Sequence, residues 1–262
     1  MPGATLLIAH RGASRNAPEN TLAAFRLAWA EGADGVEADF RLTGDGRIVC
    51  LHDATTGRTA GVEFIVATAS LAELRRLDVG RWQGSAWSGE QIPTLAEVLA
   101  ALPPEKKLFI ELKSGPEIVA PLQRELAESG VAPEQLRLLA FSAPLLTELK
   151  AVLPGYRSCW LTDYRRRLLG GVWQPSREEV LATLRRAGAD GLASRGREIL
   201  DDCFVAALRR EGYEIHVWTV DAIAAARRFA ALAVDSIMTN RPGWLRQRLS
   251  ADGTLIAGGA SL

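Results

Sequence analysis

The sequence predicts an α/β fold, a single (β/α)8 TIM barrel, and three observations lead there. The chain has 262 residues, the usual size of one such barrel. Short apolar runs of strand character alternate with helical segments along most of it, the pattern of a parallel sheet. Charged clusters close several of those runs: His10-Arg11-Gly12, Glu37-x-Asp39, His52-Asp53 and Glu111-x-Lys113. Charges collected at the carboxyl ends of strands are what barrel active sites are made from.

Eight runs read as barrel strands: Thr5–Ala9, Gly35–Asp39, Leu108–Leu112, Leu136–Phe141, Tyr156–Leu161, Asp190–Ala193, Glu214–Thr219 and Asp235–Thr239. Helices are expected at Glu19–Glu31, Leu95–Leu102, Glu117–Ser129, Ala143–Val152, Arg177–Ala187, Asp201–Glu211, Ala222–Ala231 and Pro242–Leu249. Their starts carry the usual signals. Pro18 precedes the first, Thr94 and Glu97 open the second, and Ser176 with Glu179 forms a capping box. Eight such units imply closure into a barrel.

A ninth run, Arg47–Leu51, follows its predecessor after only Thr43-Gly44-Asp45-Gly46. A parallel crossover needs about a dozen residues, so this run is expected to turn back as a hairpin. Pairing Leu42 with Arg47 puts His52 opposite Glu37; a tight turn on Asp45-Gly46 puts it opposite Asp39. Residues 54–93 then form a stretch far longer than a usual loop. It contains a short helical pattern at Leu71–Leu77 and is read as a small cap over the mouth, with Trp82 and Trp87 available to cover a ligand. The barrel is assigned to residues 1–249, and the tail 250–262 is expected to be flexible.

Composition removes several function classes. Lys plus Arg and Asp plus Glu are equal at 31 each, which leaves no basic footprint for nucleic acid. No apolar run reaches the roughly 18 residues of a membrane span. The run ending at Ala9 is too short for a signal peptide and has no basic residue before it. Cys50, Cys159 and Cys203 are odd in number and far apart. They read as small buried thiols of a cytoplasmic protein.

Alternate residues of a barrel strand point inward. Glu37 and Asp39 share one parity, Val36 and Ala38 the other. Glu111 and Lys113 go with Phe109, His10 with Ile8, and Trp218 with His216. In each case the opposite parity is apolar and belongs to the helices. The polar set therefore points into the barrel. Three inward carboxylates repel one another, and a divalent cation resolves this. All-oxygen ligands select Mg2+ or Ca2+. Internal salt bridges to Lys113 and Arg11 are the alternative. His10 and His52 can serve as general base and acid. Arg11 offers a fork for phosphate oxygens, and Lys113 can neutralise charge developing on a phosphoryl group. Trp218 is a candidate wall for an apolar part of a ligand, with plain core filling as the alternative. His216 lies deeper and reads as structural. Arg165-Arg166-Arg167 reads as a solvated loop. A Schiff base on Lys113 would need a desolvated amine, and three nearby carboxylates argue against it. A binding module without catalysis would have no need of both histidines.

The chain resembles the glycerophosphodiester phosphodiesterases, within the wider group of phosphatidylinositol phospholipase C-like barrels. The segments that carry the resemblance are His10-Arg11-Gly12, Ala17-Pro18-Glu19-Asn20-Thr21, Glu37-Ala38-Asp39, Thr43-x-Asp45-Gly46, His52-Asp53, Ile92-Pro93-Thr94-Leu95, Glu111-Leu112-Lys113, Phe141-Ser142, Trp218-Thr219-Val220 and Thr239-Asn240-Arg241-Pro242. They run in order over residues 8–243. The resemblance implies Glu37, Asp39 and Glu111 as metal ligands, with Mn2+ a further candidate. It implies His10 and His52 as the acid/base pair and Arg11 and Lys113 on phosphate. The implied reaction is hydrolysis of a glycerophosphodiester to glycerol 3-phosphate and an alcohol, or a related cleavage of lysophospholipids. Two positions depart from the family's commoner pattern: Ala-Thr-Thr-Gly-Arg-Thr follows His52-Asp53, and Asp221 stands where Asn is frequent.

Overall fold

A computed structural model describes residues 4–166, 171–251, 253, 254, 256 and 257. The strands are β1 (Leu6–His10), β2 (Gly35–Leu42), β3 (Ile48–Cys50), β4 (Lys107–Leu112), β5 (Leu136–Ala140), β6 (Arg157–Thr162), β7 (Arg165–Arg166), β8 (Trp173–Gln174), β9 (Gly191–Arg195), β10 (Glu214–Trp218) and β11 (Ser236–Thr239). Among the described residues, eight of them form a closed parallel barrel in the order β1, β2, β4, β5, β6, β9, β10, β11, with β11 pairing back onto β1. Outside lie α1 (Leu22–Ala30), α4 (Leu95–Ala101), α5 (Val119–Ser129), α6 (Ala143–Val152), α7 (Arg177–Ala187), α8 (Asp202–Arg210), α9 (Ile223–Ala231) and α10 (Pro242–Ala251), while the short α2 (Gly57–Ala60) and α3 (Leu71–Leu74) belong to the insertion. Capping boxes open α4 at Thr94 and α7 at Ser176.

Two apolar clusters confirm the parity argument. Leu7, Ala9, Val36, Ala38, Leu108, Ile110, Ile215 and Val217 pack outward against helix residues such as Phe25, Leu122, Phe204 and Phe229. Ile8, Phe109, Leu139, Cys159, Leu161, Ala193 and Met238 fill the barrel interior. Each large apolar side chain buried this way contributes roughly 1.5–3 kcal/mol. A one-residue slip of any strand would exchange its two faces and lose that contribution several times over. The same parity that buries Val36 and Ala38 outside therefore holds Glu37 and Asp39 inside.

The structure corrects several details. The first helix begins at Leu22, not Glu19, with Thr21 as its N-cap. Asn20 is left-handed at φ +59° and belongs to the site. The β2–β3 hairpin takes neither expected register. Phe40 faces Cys50 and Leu42 faces Ile48. The cause is Thr43, whose amide donates to the Arg47 carbonyl at 2.9 Å and whose hydroxyl accepts from the Arg47 amide at 2.9 Å. These bonds close a three-residue loop, with Gly46 left-handed at φ +76°. His52 thus lies beyond the ladder. Its carbonyl instead accepts from Arg41 Nε at 3.0 Å and Nη2 at 2.6 Å.

The insertion 54–93 has a small core of its own, in which Val66, Leu74, Leu77 and Ile92 pack on Val49 and Leu51 of the hairpin. Arg165 and Arg166 lie in a short antiparallel ribbon with Gln174 and Trp173, not in an open loop; Arg167 lies outside the described residues. Cys50 and Cys159 are buried, but Cys203 is exposed on α8. Of the tail expected to be flexible, 252, 255 and 258–262 lie outside the described residues. Ile256 bridges Thr5, and the Ala257 carbonyl accepts from Arg246 at 2.6 Å. No helix among the described residues is long and apolar enough to cross a membrane.

Gly12 and Gly46 separate two costs. Both have positive φ, at +79° and +76°. A Cβ on Gly12 would lie 2.7 Å from the α1 backbone at Ala24, whereas one on Gly46 meets nothing within 4 Å. Gly46→Ala should cost only the left-handed penalty of about 1–2 kcal/mol. Gly12→Ala should add about 1–3 kcal/mol of overpacking. Urea denaturation of both variants checks this; equal losses would show that α1 can move aside.

Candidate active site

The site begins where β1 ends. Arg11 and Gly12 are consecutive left-handed residues, at φ +56° and +79°. They turn the chain so that the Arg11 amide donates to Glu37 Oε2 at 3.1 Å. The Arg11 guanidinium reaches Asp39 Oδ2 at 3.1 Å and Glu19 Oε1 at 3.0 Å. Register does the rest: His10 lies beside Glu37 on β2, and Asp39 beside Glu111 on β4. One oxygen from each of Glu37, Asp39 and Glu111 lies within 4.8 Å of the others, and all three side chains are buried. Lys113 stands over the group, 3.1 Å from Asp39 Oδ1 and in contact with Glu111. Asn20 clamps Asp39 from below, donating to Oδ2 at 2.9 Å and accepting from its amide at 3.1 Å.

Electrostatics reflects this crowding. Burial, then the neighbouring Asp39, pushes the Glu37 carboxyl up to about 8. Burial, then Asp39 and Glu37, pushes Glu111 up to about 7. Burial acts on Asp39 in the same direction, but Lys113 and Arg11 outweigh it and hold that carboxyl at about 2. Among the described residues, Glu37 Oε1 receives no hydrogen bond, and Asp39 Oδ1 and Glu111 Oε1 have only the Lys113 ammonium. The salt bridges weighed as an alternative to a cation do form, yet they leave this oxygen without a donor. An all-oxygen donor set with an orphaned, buried carboxylate oxygen fits a hard divalent cation.

Both histidines line the same cavity of about 330 Å3. His10 Nδ1 lies 2.8 Å from Asn240 Oδ1, and its Nε2 is 3.9 Å from Glu37 Oε2. Burial and the Arg11 charge lower its pKa. His52 Nδ1 lies 2.7 Å from Asp53 Oδ1. Burial lowers it too, against the opposing pull of Asp39 and Asp53. An ionic chain links the two sides: Asp53 to Arg58 at 2.6 Å, Arg58 to Glu19 at 2.7 Å, and Glu19 to Arg11.

Every predicted site residue lines this cavity except Asp39, which lies behind Arg11 and Lys113. The rest of the lining is a mostly apolar wall, made by Leu139, Phe141, Leu161, Met238 and Trp218, with the Asp163–Arg195 ion pair beside them. Trp218 stands in that wall, edge-on to Phe141 at 5.8 Å, with Arg195 over its face at 5.2 Å. No residue of 54–93 lines the cavity, and Trp82 and Trp87 stand outside its lining. Arg58 is the insertion's ionic link to the rim. His216 is structural as expected, 2.9 Å from Ser236 Oγ and edge-on to Phe109. It shares the barrel floor with Cys159 and Glu214, but the Glu214 carboxylate is occupied by Arg137, Arg157 and His216 itself, and against burial His216 and Arg137 hold it far below its usual value. Sequence reasoning assigned no role to Glu19, Asn20, Arg41, Asp221 or Asn240. Glu19, Asn20 and Asn240 were visible only as parts of the motifs that carried the resemblance.

The sequence matches the glycerophosphoryl diester phosphodiesterase family over residues 10–244. The chain belongs to that family. Within it, the glycerophosphodiester phosphodiesterase of Caldanaerobacter subterraneus subsp. tengcongensis is 34% identical over 243 residues, covering 91% of this chain and 95% of the relative. A phosphodiesterase of Oleispira antarctica, solved in complex with the product sn-glycerol-3-phosphate, superposes with a TM-score of 0.81 at 26% identity, covering 94% of this chain and 97% of its own. The glycerophosphodiester phosphodiesterase of Agrobacterium tumefaciens does so with a TM-score of 0.79 at 28% identity, covering 93% and 99%. The barrel is therefore that of the phosphodiesterase family.

The raised carboxyls have a measurable consequence. Glu37 and Glu111 hold their protons to higher pH than free carboxyls do, and a cation bound there would have to displace them. Cation affinity should therefore rise with pH through about 7 and 8, with proton release on binding. Without a cation, both folded pKa values exceed the unfolded ones. The stability these carboxyls contribute is full below the unfolded value and is lost as pH rises through about 7 and 8. Calorimetric titration with Mg2+ or Ca2+ in buffers of different ionisation enthalpy checks the release. A pH-independent affinity without protons released would place the cation elsewhere.

Proposed function

We propose that the protein hydrolyses glycerophosphodiesters to glycerol 3-phosphate and an alcohol, using a divalent cation and two histidines. The observation that carries this reading is one cavity holding a buried carboxylate triad with an unpartnered oxygen, two cationic side chains and two imidazoles. Glu37, Asp39 and Glu111 would hold the cation, with Mg2+, Ca2+ and Mn2+ as candidates. When bound, it supplies Lewis-acid polarisation of a phosphoryl oxygen. Charge balance supports this. With all three carboxylates ionised, Arg11 and Lys113 leave one negative charge over. A divalent cation turns it into one positive charge, which a phosphodiester monoanion matches.

Arg11 and Lys113 bind the phosphate oxygens and stabilise charge developing there. Burial disfavours charge on Lys113, but Asp39 and Glu111 raise its pKa above the usual lysine value, which opposes any Schiff-base role. The wall of Leu139, Leu161 and Trp218 suits the carbon skeleton of the glycerol unit. His10 is buried against a neutral amide, so its unprotonated form is the favoured one, and it takes the proton from the nucleophile. His52 is paired with the Asp53 carboxylate, which stabilises an imidazolium, and it returns a proton to the leaving alkoxide. The reduced thiols of Cys50, Cys159 and Cys203 accord with the cytoplasmic location expected from the sequence.

Glycerol 3-phosphate release from a panel of glycerophosphodiesters tests this. Chelation should abolish it, and Mg2+, Ca2+ or Mn2+ should restore it; full turnover after exhaustive chelation would remove the cation from the reading. His10→Ala and His52→Ala should each lower kcat by about 10²–10⁴. On a p-nitrophenyl diester, whose leaving group needs no proton, His52→Ala should recover most of its loss and His10→Ala none. The reverse pattern would exchange the two roles.

A further inference from the structure

The His10 ring is held by a relay that runs from β1 to the ends of β10 and β11. Asn240 Nδ2 donates to Asp221 Oδ2 at 2.7 Å, and the Asn240 amide donates to Asp221 Oδ1 at 2.8 Å. The Thr239 hydroxyl donates to the same Oδ1 at 2.8 Å. On its other side, Asn240 Oδ1 faces His10 Nδ1 at 2.8 Å and the Ser14 hydroxyl at 3.0 Å. Donor and acceptor logic decides how this relay is wired. A carboxylate only accepts, so the NH2 of Asn240 must face Asp221. Its oxygen must then face His10, and an amide oxygen only accepts. The ring proton therefore sits on Nδ1, and the lone pair sits on Nε2, the nitrogen on the Glu37 side. Remove the carboxylate and nothing dictates the amide's direction. A flipped Asn240 would present NH2 to Nδ1, and the proton would move to Nε2, where it blocks the base.

We infer that Asp221 is a positioning residue which, through the side-chain amide of Asn240, sets the tautomer in which His10 can accept a proton. The inference rests on the proposed reaction for its kinetic consequence, but the tautomer itself can be read without substrate. Among the described residues, Asp221 makes hydrogen bonds to Thr239 and Asn240 and forms no ion pair with Arg11 or Lys113. Asp221→Asn keeps an oxygen to accept from Thr239 and from the Asn240 amide, so the variant is conservative in shape.

The test uses protein carrying 15N-histidine. The chain has three histidines, His10, His52 and His216, so His10 can be assigned by its absence from a His10→Gln sample. Wild type should show His10 protonated at Nδ1 and bare at Nε2. Asp221→Asn should shift His10 toward the Nε2–H form, with His52 and His216 unmoved. Its kcat on glycerophosphodiesters should fall by about 10–100-fold, part of a general base's usual contribution, with KM little changed. The exchanged pair Asp221→Asn with Asn240→Asp puts a carboxylate directly on Nδ1 and an amide donor behind it. It should restore the Nδ1–H form and most of kcat. An Asp221→Asn protein that keeps the wild-type tautomer and kcat overturns the inference, as does an exchanged pair that folds but rescues neither. If wild type cleaves no glycerophosphodiester while the spectra shift as stated, the proposed function fails and the positioning role stands.

Discussion

Glu37, Asp39 and Glu111 bury their carboxyl groups together inside the barrel, where water cannot solvate them, and most of the surrounding architecture answers that repulsion. Arg11 and Lys113 supply two positive charges. Asn20 gives Asp39 a hydrogen bond at each of two positions, which requires its own left-handed backbone and delays the start of α1. Two left-handed residues at the end of β1 turn the Arg11 amide toward Glu37. None of this stabilises the fold cheaply. Buried ion pairs seldom outweigh the cost of desolvation. On the proposed reading, the arrangement would keep a pre-formed place for a cation and an anion at the cost of a poorly satisfied core.

The barrel was legible because parity is a strong constraint. On β1, β2, β4 and β10, each inward polar residue is flanked by outward apolar ones, so a single reading of the pattern yields both strand and site. Six of the eight residues with assigned roles, His10, Glu37, Asp39, Glu111, Lys113 and Trp218, needed no more than that. The hairpin register was not legible because a side chain decided it. The Thr43 hydroxyl pairs with Arg47 as a backbone group would, and hydropathy carries no trace of that. The start of α1 was misread for a similar reason: Glu19 and Asn20 favour a helix start, but the site claims both. Asp221 and Asn240 were invisible as partners of His10, which lies 230 positions from Asn240.

The two imidazoles are supported in different ways. His10 is enclosed, and its outer nitrogen meets a neutral amide locked in place by Asp221. His52 is closer to solvent and meets a carboxylate. Burial lowers both pKa values, but one ring meets a neutral amide and the other a carboxylate, and on the proposed reading that difference separates the base from the acid.

The insertion departs from the role its position suggested. Its apolar core is built on Val49 and Leu51, residues of the very hairpin strand that delivers His52. Arg58 then reaches back to Asp53 and Glu19, so the segment grips the second histidine from both ends of the peptide that carries it. Such a brace ties the segment to the hairpin without contributing residues to the cavity lining. The forty or so residues of 54–93 thus rest on the hairpin behind His52 and leave the lining of the cavity to the rest of the chain.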